Sequence, residues 1–108
     1  MSPKPADLDD FGRFTEPAVL ILVSVADGPR HGYAISQDIE RLTGHKPGPG
    51  TLYGAIARLE SRGFLEALAP EGKRTDYRLT ADGARALKAR LRAMEAVSKV
   101  GQARLASA

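Results

Sequence analysis

The spacing of apolar residues changes at Gly63, and that change limits what the chain can fold into. Before it, Leu52, Ala55, Ile56 and Leu59 recur on one helical face, with Thr51, Gly54, Arg58 and Ser61 on the other. Pro49 stands where a helix opens, and Arg62 and Gly63 close it. After it, residues 64–69 read as a strand and 70–73 as a turn. Thr75, Tyr77 and Leu79 then alternate with Asp76 and Arg78 as a second strand. Lys73 and Arg74 fall at or beside the hairpin tip.

The helix before Gly63 has a sparse outer face of small side chains that ends in a cation. A solvated helix more often carries long Glu and Lys side chains there, whereas a slim face suits the floor of a DNA groove. The segment ahead of it is a second, shorter amphipathic helix. Ile35, Ile39 and Leu42 share a face, polar residues fill the others, and Gly44 stands where helices commonly stop. Residues 45–48 turn the chain with Pro47 and Gly48, so two helices meet across a short connection.

Upstream, Thr15 is a plausible cap, with Glu16 and Pro17 in positions a first helical turn tolerates. Val19, Ile21, Val23 and Val25 equally fit a buried strand, and periodicity does not decide between them. Downstream, Thr80 is a candidate cap for a last helix with a narrow seam of Ala84, Leu87, Leu91 and Met94. Only Ser98, Gly101 and Leu105 continue that seam, which degrades after about two turns. Residues 1–10 are polar and Pro-rich and are expected to be a disordered arm.

Length and composition exclude several classes. The chain has 108 residues, room for one domain. It has no cysteine, hence no disulfide framework, thiolate nucleophile or Cys-based zinc site, which fits a reducing cytoplasm. His31 and His45 are too isolated to suggest a metal cluster, so no metal or cofactor is expected. The apolar run at 18–26 is far shorter than the roughly 20 residues a bilayer crossing needs, and Asp7, Asp9 and Asp10 oppose the cationic start of a signal peptide. No membrane association is expected.

Net charge is +3, but it is unevenly spread. The first ten residues are acidic, while Arg58, Arg62, Lys73, Arg74, Arg78, Arg85, Lys88, Arg90, Arg92, Lys99 and Arg104 crowd the second half. The Gly-rich stretch 44–51 contains Lys46, but that lysine precedes the final glycine. No Gly-Lys-Thr follows to hold phosphate and magnesium together. With no Ser-His-acid set or paired carboxylate site either, no catalysis is assigned.

A helix pair followed by a basic hairpin is the plan of a winged helix-turn-helix. The chain also resembles the PadR family of bacterial transcriptional regulators. The resemblance lies in His31-Gly32-Tyr33-Ala34-Ile35, in Gly50-Thr51-Leu52-Tyr53 with Arg58-Leu59-Glu60 and Gly63-Phe64-Leu65, and in Tyr77-Arg78-Leu79-Thr80 with Gly83 and Leu87. It covers most of residues 19–94. It implies an α+β, mostly α, winged-helix homodimer that usually acts as a repressor, often responding to a small molecule or to stress. It also implies helix over 19–26. Three departures stand out: Gly54 replaces the proline that usually follows the Leu-Tyr pair, Asp76 replaces an aromatic before Tyr77, and the final helix ends soon after Met94 without a tryptophan.

These readings divide the chain into the arm at 1–10, a DNA-binding domain at 11–79 and a dimerisation helix at 80–108. Pro49 leaves the amides of Gly50 and Thr51 unpaired at the positive end of a helix dipole, where a DNA phosphate can dock. Tyr53 can donate its hydroxyl to phosphate or simply pack. Gly54 costs about 1 kcal/mol of helix propensity, which close approach to a base edge would justify. Arg58 is the one long donor on the outer face and is expected to contact a base or phosphate. Lys46 is a backbone candidate, and Lys73 with Arg74 would set the wing on phosphate or in the minor groove. His31 reads as a cap or packing residue. Leu87, Leu91 and Met94 are expected to join two copies, with Phe11 and Phe14 contributed by the partner. The alternative is a winged-helix module that binds a protein and not DNA.

Overall fold

The computed structural model describes residues 16–108. The arm at 1–10 and Phe11, Phe14 and Thr15 lie outside the described residues. Among the described residues, four helices and three short strands follow in the order α1 (Pro17–Ser24), β1 (Arg30–His31), α2 (Gly32–Thr43), α3 (Pro49–Ser61), β2 (Leu65–Ala67), β3 (Asp76–Leu79) and α4 (Ala81–Ser107). The strands make one antiparallel sheet in the order β1-β3-β2.

The segment that periodicity leaves open is helix. Pro17 sits in its first turn behind Glu16 in extended conformation, so Glu16 and not Thr15 is the N-cap. The β-like alternation misleads because α1 is apolar almost all round. Val19, Ile21 and Leu22 are all buried, with Val25 just beyond them. Such a helix has no wet face to mark its period.

The ends of α3 show why the chain changes direction where it does. Arg62 caps the helix and Gly63 follows at φ 77°, a left-handed backbone that favours glycine. Phe64 N–H then donates to Leu59 O at 2.9 Å and Gly63 N–H to Glu60 O at 3.0 Å, the paired bonds of a Schellman ending. Phe64 is spent on that closure, so β2 begins at Leu65 rather than 64 and ends at Ala67. Its partner β3 starts at Asp76. The register pairs Leu65 with Leu79, Glu66 with Arg78 and Ala67 with Tyr77. The Glu66–Arg78 pair adds an ion contact of 2.6 Å on the exposed face. Strand β1, only two residues long and directly following Gly28-Pro29, is an element the sequence pattern does not predict. It extends the sheet by pairing Arg30 with Tyr77 and His31 with Asp76.

Thr80 caps α4 as expected. Its Oγ1 accepts from Gly83 N–H at 2.9 Å and donates to Gly63 O at 2.6 Å, tying the last helix to the end of α3. A Cβ on Gly83 would fall 2.2 Å from Phe64 O, so α4 can pack this closely only through a glycine.

Two expectations about α4 are corrected. The helix continues to Ser107 and does not end soon after Met94. Leu87, expected at a seam between copies, is only 6 % exposed and belongs to its own chain's core with Val19, Leu22 and Leu59. The reason is that α4 lies across α1, so its first turns complete the core instead of leaving it. Leu91 and Met94 remain 42 % and 38 % exposed, and beyond them Val97, Val100 and Leu105 are exposed as well.

In α2, Arg41 donates to Asp38 at 2.8 Å, and this bond holds the Asp38 carboxyl below its usual value of 3.8. A depressed carboxylate contributes stability above its unfolded value and loses it as pH falls through the folded one. Urea unfolding at pH 7 and pH 3 is therefore expected to show a loss at low pH, and Asp38→Asn should make that loss smaller.

Candidate nucleic-acid interface

Pro49 occupies the first turn of α3, and its N-cap is Gly48, which offers no side-chain bond. The amides of Gly50 and Thr51 thus have neither an intrahelical acceptor nor a capping side chain, and no acidic residue stands in this turn. Leu52, Ala55, Ile56 and Leu59 are buried, as the spacing requires. Opposite them, the outward ridge is Gly50, Gly54, Ala57 and Ser61, all small. Ala57 is not among the expected site residues, yet the helical period places it on this ridge.

One flank of the ridge gathers most of the expected residues. Tyr53 is exposed and leans back over α2, its hydroxyl 2.3 Å from where a Cβ on Gly32 would be. Gly32 is therefore the space the Tyr53 ring occupies. An open cleft of about 400 Å³ separates Tyr33 and Tyr53 from Lys73 and Arg74 of the hairpin. Lys46, in the turn before α3, places Nζ 4.7 Å from the centre of the Tyr33 ring, a cation–π contact that carries the charge to the same face.

The hairpin tip is tight. Glu71 and Arg74 pair across it, and Gly72 takes φ 63°. This leaves Lys73 exposed and without an ion pair among the described residues. Arg74 Nε lies 3.5 Å from Asp76 Oδ1, and the same oxygen lies 3.9 Å from His31 Nδ1. Asp76 Oδ1 is buried without a hydrogen-bond partner among the described residues, so its attraction for the Arg74 guanidinium is an ion pair and not a hydrogen bond. His31 stands at the N-cap of α2 but makes no side-chain cap bond, so its surroundings are those of a packing residue beside Asp76. Burial, with Glu60 and Tyr53 nearby, pushes the Tyr77 hydroxyl above its ordinary range and keeps it protonated.

Arg58 is not part of this flank. It lines the opposite side of α3 with Arg62, facing α1 and α4, and its Nη1 lies 3.6 Å from the position a Cβ on Gly54 would take. The guanidinium therefore lies back along the helix over Gly54. The fold itself tolerates an alanine at position 54, since that distance is an ordinary contact.

The arrangement is a slim helix with an anion-ready N-terminus, a basic and aromatic flank reaching the hairpin, and a second cationic flank at Arg58 and Arg62. Its chemistry is recognition of a polyanion of fixed shape, and no metal-holding cluster is present among the described residues. No helix among them is long and apolar enough to cross a membrane.

Comparison with known proteins agrees with this geometry. A transcriptional regulator of Mycobacterium tuberculosis is 38 % identical over 82 residues, covering 73 % of this chain and 76 % of its own. A 37.1 kDa protein in a Streptomyces fradiae transposon is 41 % identical over 86 residues, yet that match spans only 25 % of the transposon protein's length. Among solved structures, a transcriptional regulator from Clostridium thermocellum superposes with TM-score 0.70 at 33 % identity, covering 77 % of this chain and 86 % of that one. The model of the PadR-like family of transcriptional regulators matches residues 21–89, more than half of the chain. Sequence motifs, winged-helix architecture and family match agree, and the chain belongs to the PadR-like transcriptional regulators.

Proposed function

We propose that this regulator acts in the cytoplasm as a homodimeric repressor. Two copies would present α3 to successive major grooves of a pseudo-palindromic operator, with each hairpin on flanking backbone. Half-sites would then be one helical turn apart or a multiple of it. The observation that carries this reading is the gathering of Lys46, Tyr53, Lys73 and Arg74 along one flank of a helix whose start is uncapped and whose outer ridge is small. Phosphate contacts from these residues set register, while the ridge allows close approach to base edges.

Dimerisation is proposed through the part of α4 beyond the core, beginning at Leu91 and Met94 and continuing to Val97, Val100 and Leu105. Phe11 and Phe14 of the partner remain proposed contributors. Release by a small-molecule effector is part of the proposal and awaits a ligand screen.

The experiment is duplex binding by the double variant Lys73→Ala/Arg74→Ala. Affinity is expected to fall by a similar factor on every sequence tried, and the salt slope to shrink by about 1 for each phosphate that the hairpin no longer neutralises. An unchanged slope would remove the hairpin from the interface.

A further inference from the structure

Asp76 Oδ1 is the one carboxylate oxygen among the described residues that is buried without a hydrogen bond. Two groups that can carry positive charge lie within ion-pair distance of it, Arg74 Nε at 3.5 Å and His31 Nδ1 at 3.9 Å. The sheet fixes the second of these, since β1 pairs His31 with Asp76 directly. Arg74 is exposed on the hairpin, so its guanidinium can leave Asp76 by side-chain rotation alone.

Arg74 is also a proposed phosphate contact, and the two tasks conflict. A guanidinium that turns to phosphate leaves a buried negative oxygen without its counter-charge, which is costly. Histidine is the side chain that ordinarily gains its charge near neutral pH. A proton on His31 supplies the missing charge from the neighbouring strand, and the imidazolium can donate to the oxygen that nothing else satisfies. The other groups around His31 do not offer this. Lys73 lines the same cleft but has no ion pair among the described residues. From α2 and α3 come Tyr33 and Tyr53, which never carry positive charge, and from β3 comes Tyr77, which its burial keeps protonated. Arg30, the neighbour of His31 in β1, is bonded to Asp27 at 2.8 Å.

We propose that duplex binding takes up a proton at His31, which replaces Arg74 as the counter-charge to Asp76 when the guanidinium turns to phosphate. Acidification then tightens the complex, and by reciprocity the bound duplex favours the charged imidazole. The linkage rests on the proposed contact of the hairpin with DNA.

The test is duplex affinity by fluorescence anisotropy, at fixed salt, between about pH 8 and about pH 6. The parent is expected to bind several-fold tighter at the acid end. The chain has two histidines, so His45→Gln should keep the gain and His31→Gln should lose it. Asp76→Asn should lose it too, because a neutral amide leaves no charge to compensate. A gain that persists in Asp76→Asn means that the imidazolium acts on the duplex directly and overturns the coupling, as does a gain that disappears in His45→Gln and stays in His31→Gln. If His31→Gln disturbs folding, calorimetry on the parent in two buffers of different ionisation heat counts the protons. Net uptake on binding is expected at about pH 6.5, and none overturns the proposal. Duplex affinity that does not change with pH overturns the linkage alone, whereas no binding at any pH overturns the DNA-binding reading as well.

Discussion

Leu87→Ala is expected to lower the unfolding free energy of the domain by about 2–5 kcal/mol, the usual cost of removing a buried leucine side chain. The size follows from the position. Leu87 is 6 % exposed and sits in the same core as Val19, Leu22 and Leu59, so truncation leaves a cavity where α4 meets the helices beneath it. The start of α4 has little freedom to close that cavity, because Thr80 is bonded to Gly63 and Gly83 rests directly on Phe64. Urea titration measures the loss. Leu91→Ser/Met94→Ser should behave differently, since both residues are exposed within one chain. Secondary structure should persist, while sedimentation should show weaker self-association. A Leu87→Ala protein of unaltered stability that dissociates instead would return that residue to the seam between copies.

The second large effect is expected at Arg58→Ala, which should weaken operator affinity by about 1–3 kcal/mol, roughly 5- to 150-fold. Arg58 is exposed, carries no ion pair among the described residues and lies back over Gly54, so it is free to turn toward a duplex. Removing it deletes no core contact. The unfolding midpoint and the oligomeric state should therefore match the parent, which separates a binding loss from a folding loss. Fluorescence anisotropy on a labelled operator provides the measurement. Unchanged binding would take Arg58 out of the interface and leave the Tyr53 flank to carry it.

Much of this is legible in the residues themselves. The change of period at Gly63 marks the end of α3 because a glycine at positive φ is what a Schellman ending uses. The buried face of α3 follows from spacing alone. Lys46, Tyr53, Lys73 and Arg74 are legible as polar or basic residues at a helix start and a turn, although nothing in their order shows that they share one cleft. That convergence depends on the hairpin folding back beside Gly32, which requires the tertiary fold.

What stays hidden has physical causes. Helix α1 is apolar on nearly every side, so its period carries no signal. Strand β1 is two residues long, too short for alternation to be seen, and exists because β3 offers it an edge. Leu87 looks like the start of a seam because heptad spacing does not say which turns of a helix are covered by its own chain. Tyr33 reads in the sequence only as part of a motif. Its role as a platform for Lys46 needs the turn between α2 and α3 to bring the two together.

Net charge of +3 alone would not draw this chain to DNA; the placement of charge around α3 would. A winged helix that binds a protein instead would use the same surface for packing, with little dependence on ions. The most direct test is the duplex dissociation constant measured between about 50 and 200 mM salt on a fragment carrying the operator. With Lys46, Lys73 and Arg74 of both copies on phosphate, the logarithmic plot should fall with a slope of about −5.4, since each of the six contacts contributes about −0.9. A flat plot, or no binding at the lowest salt, would contradict the account.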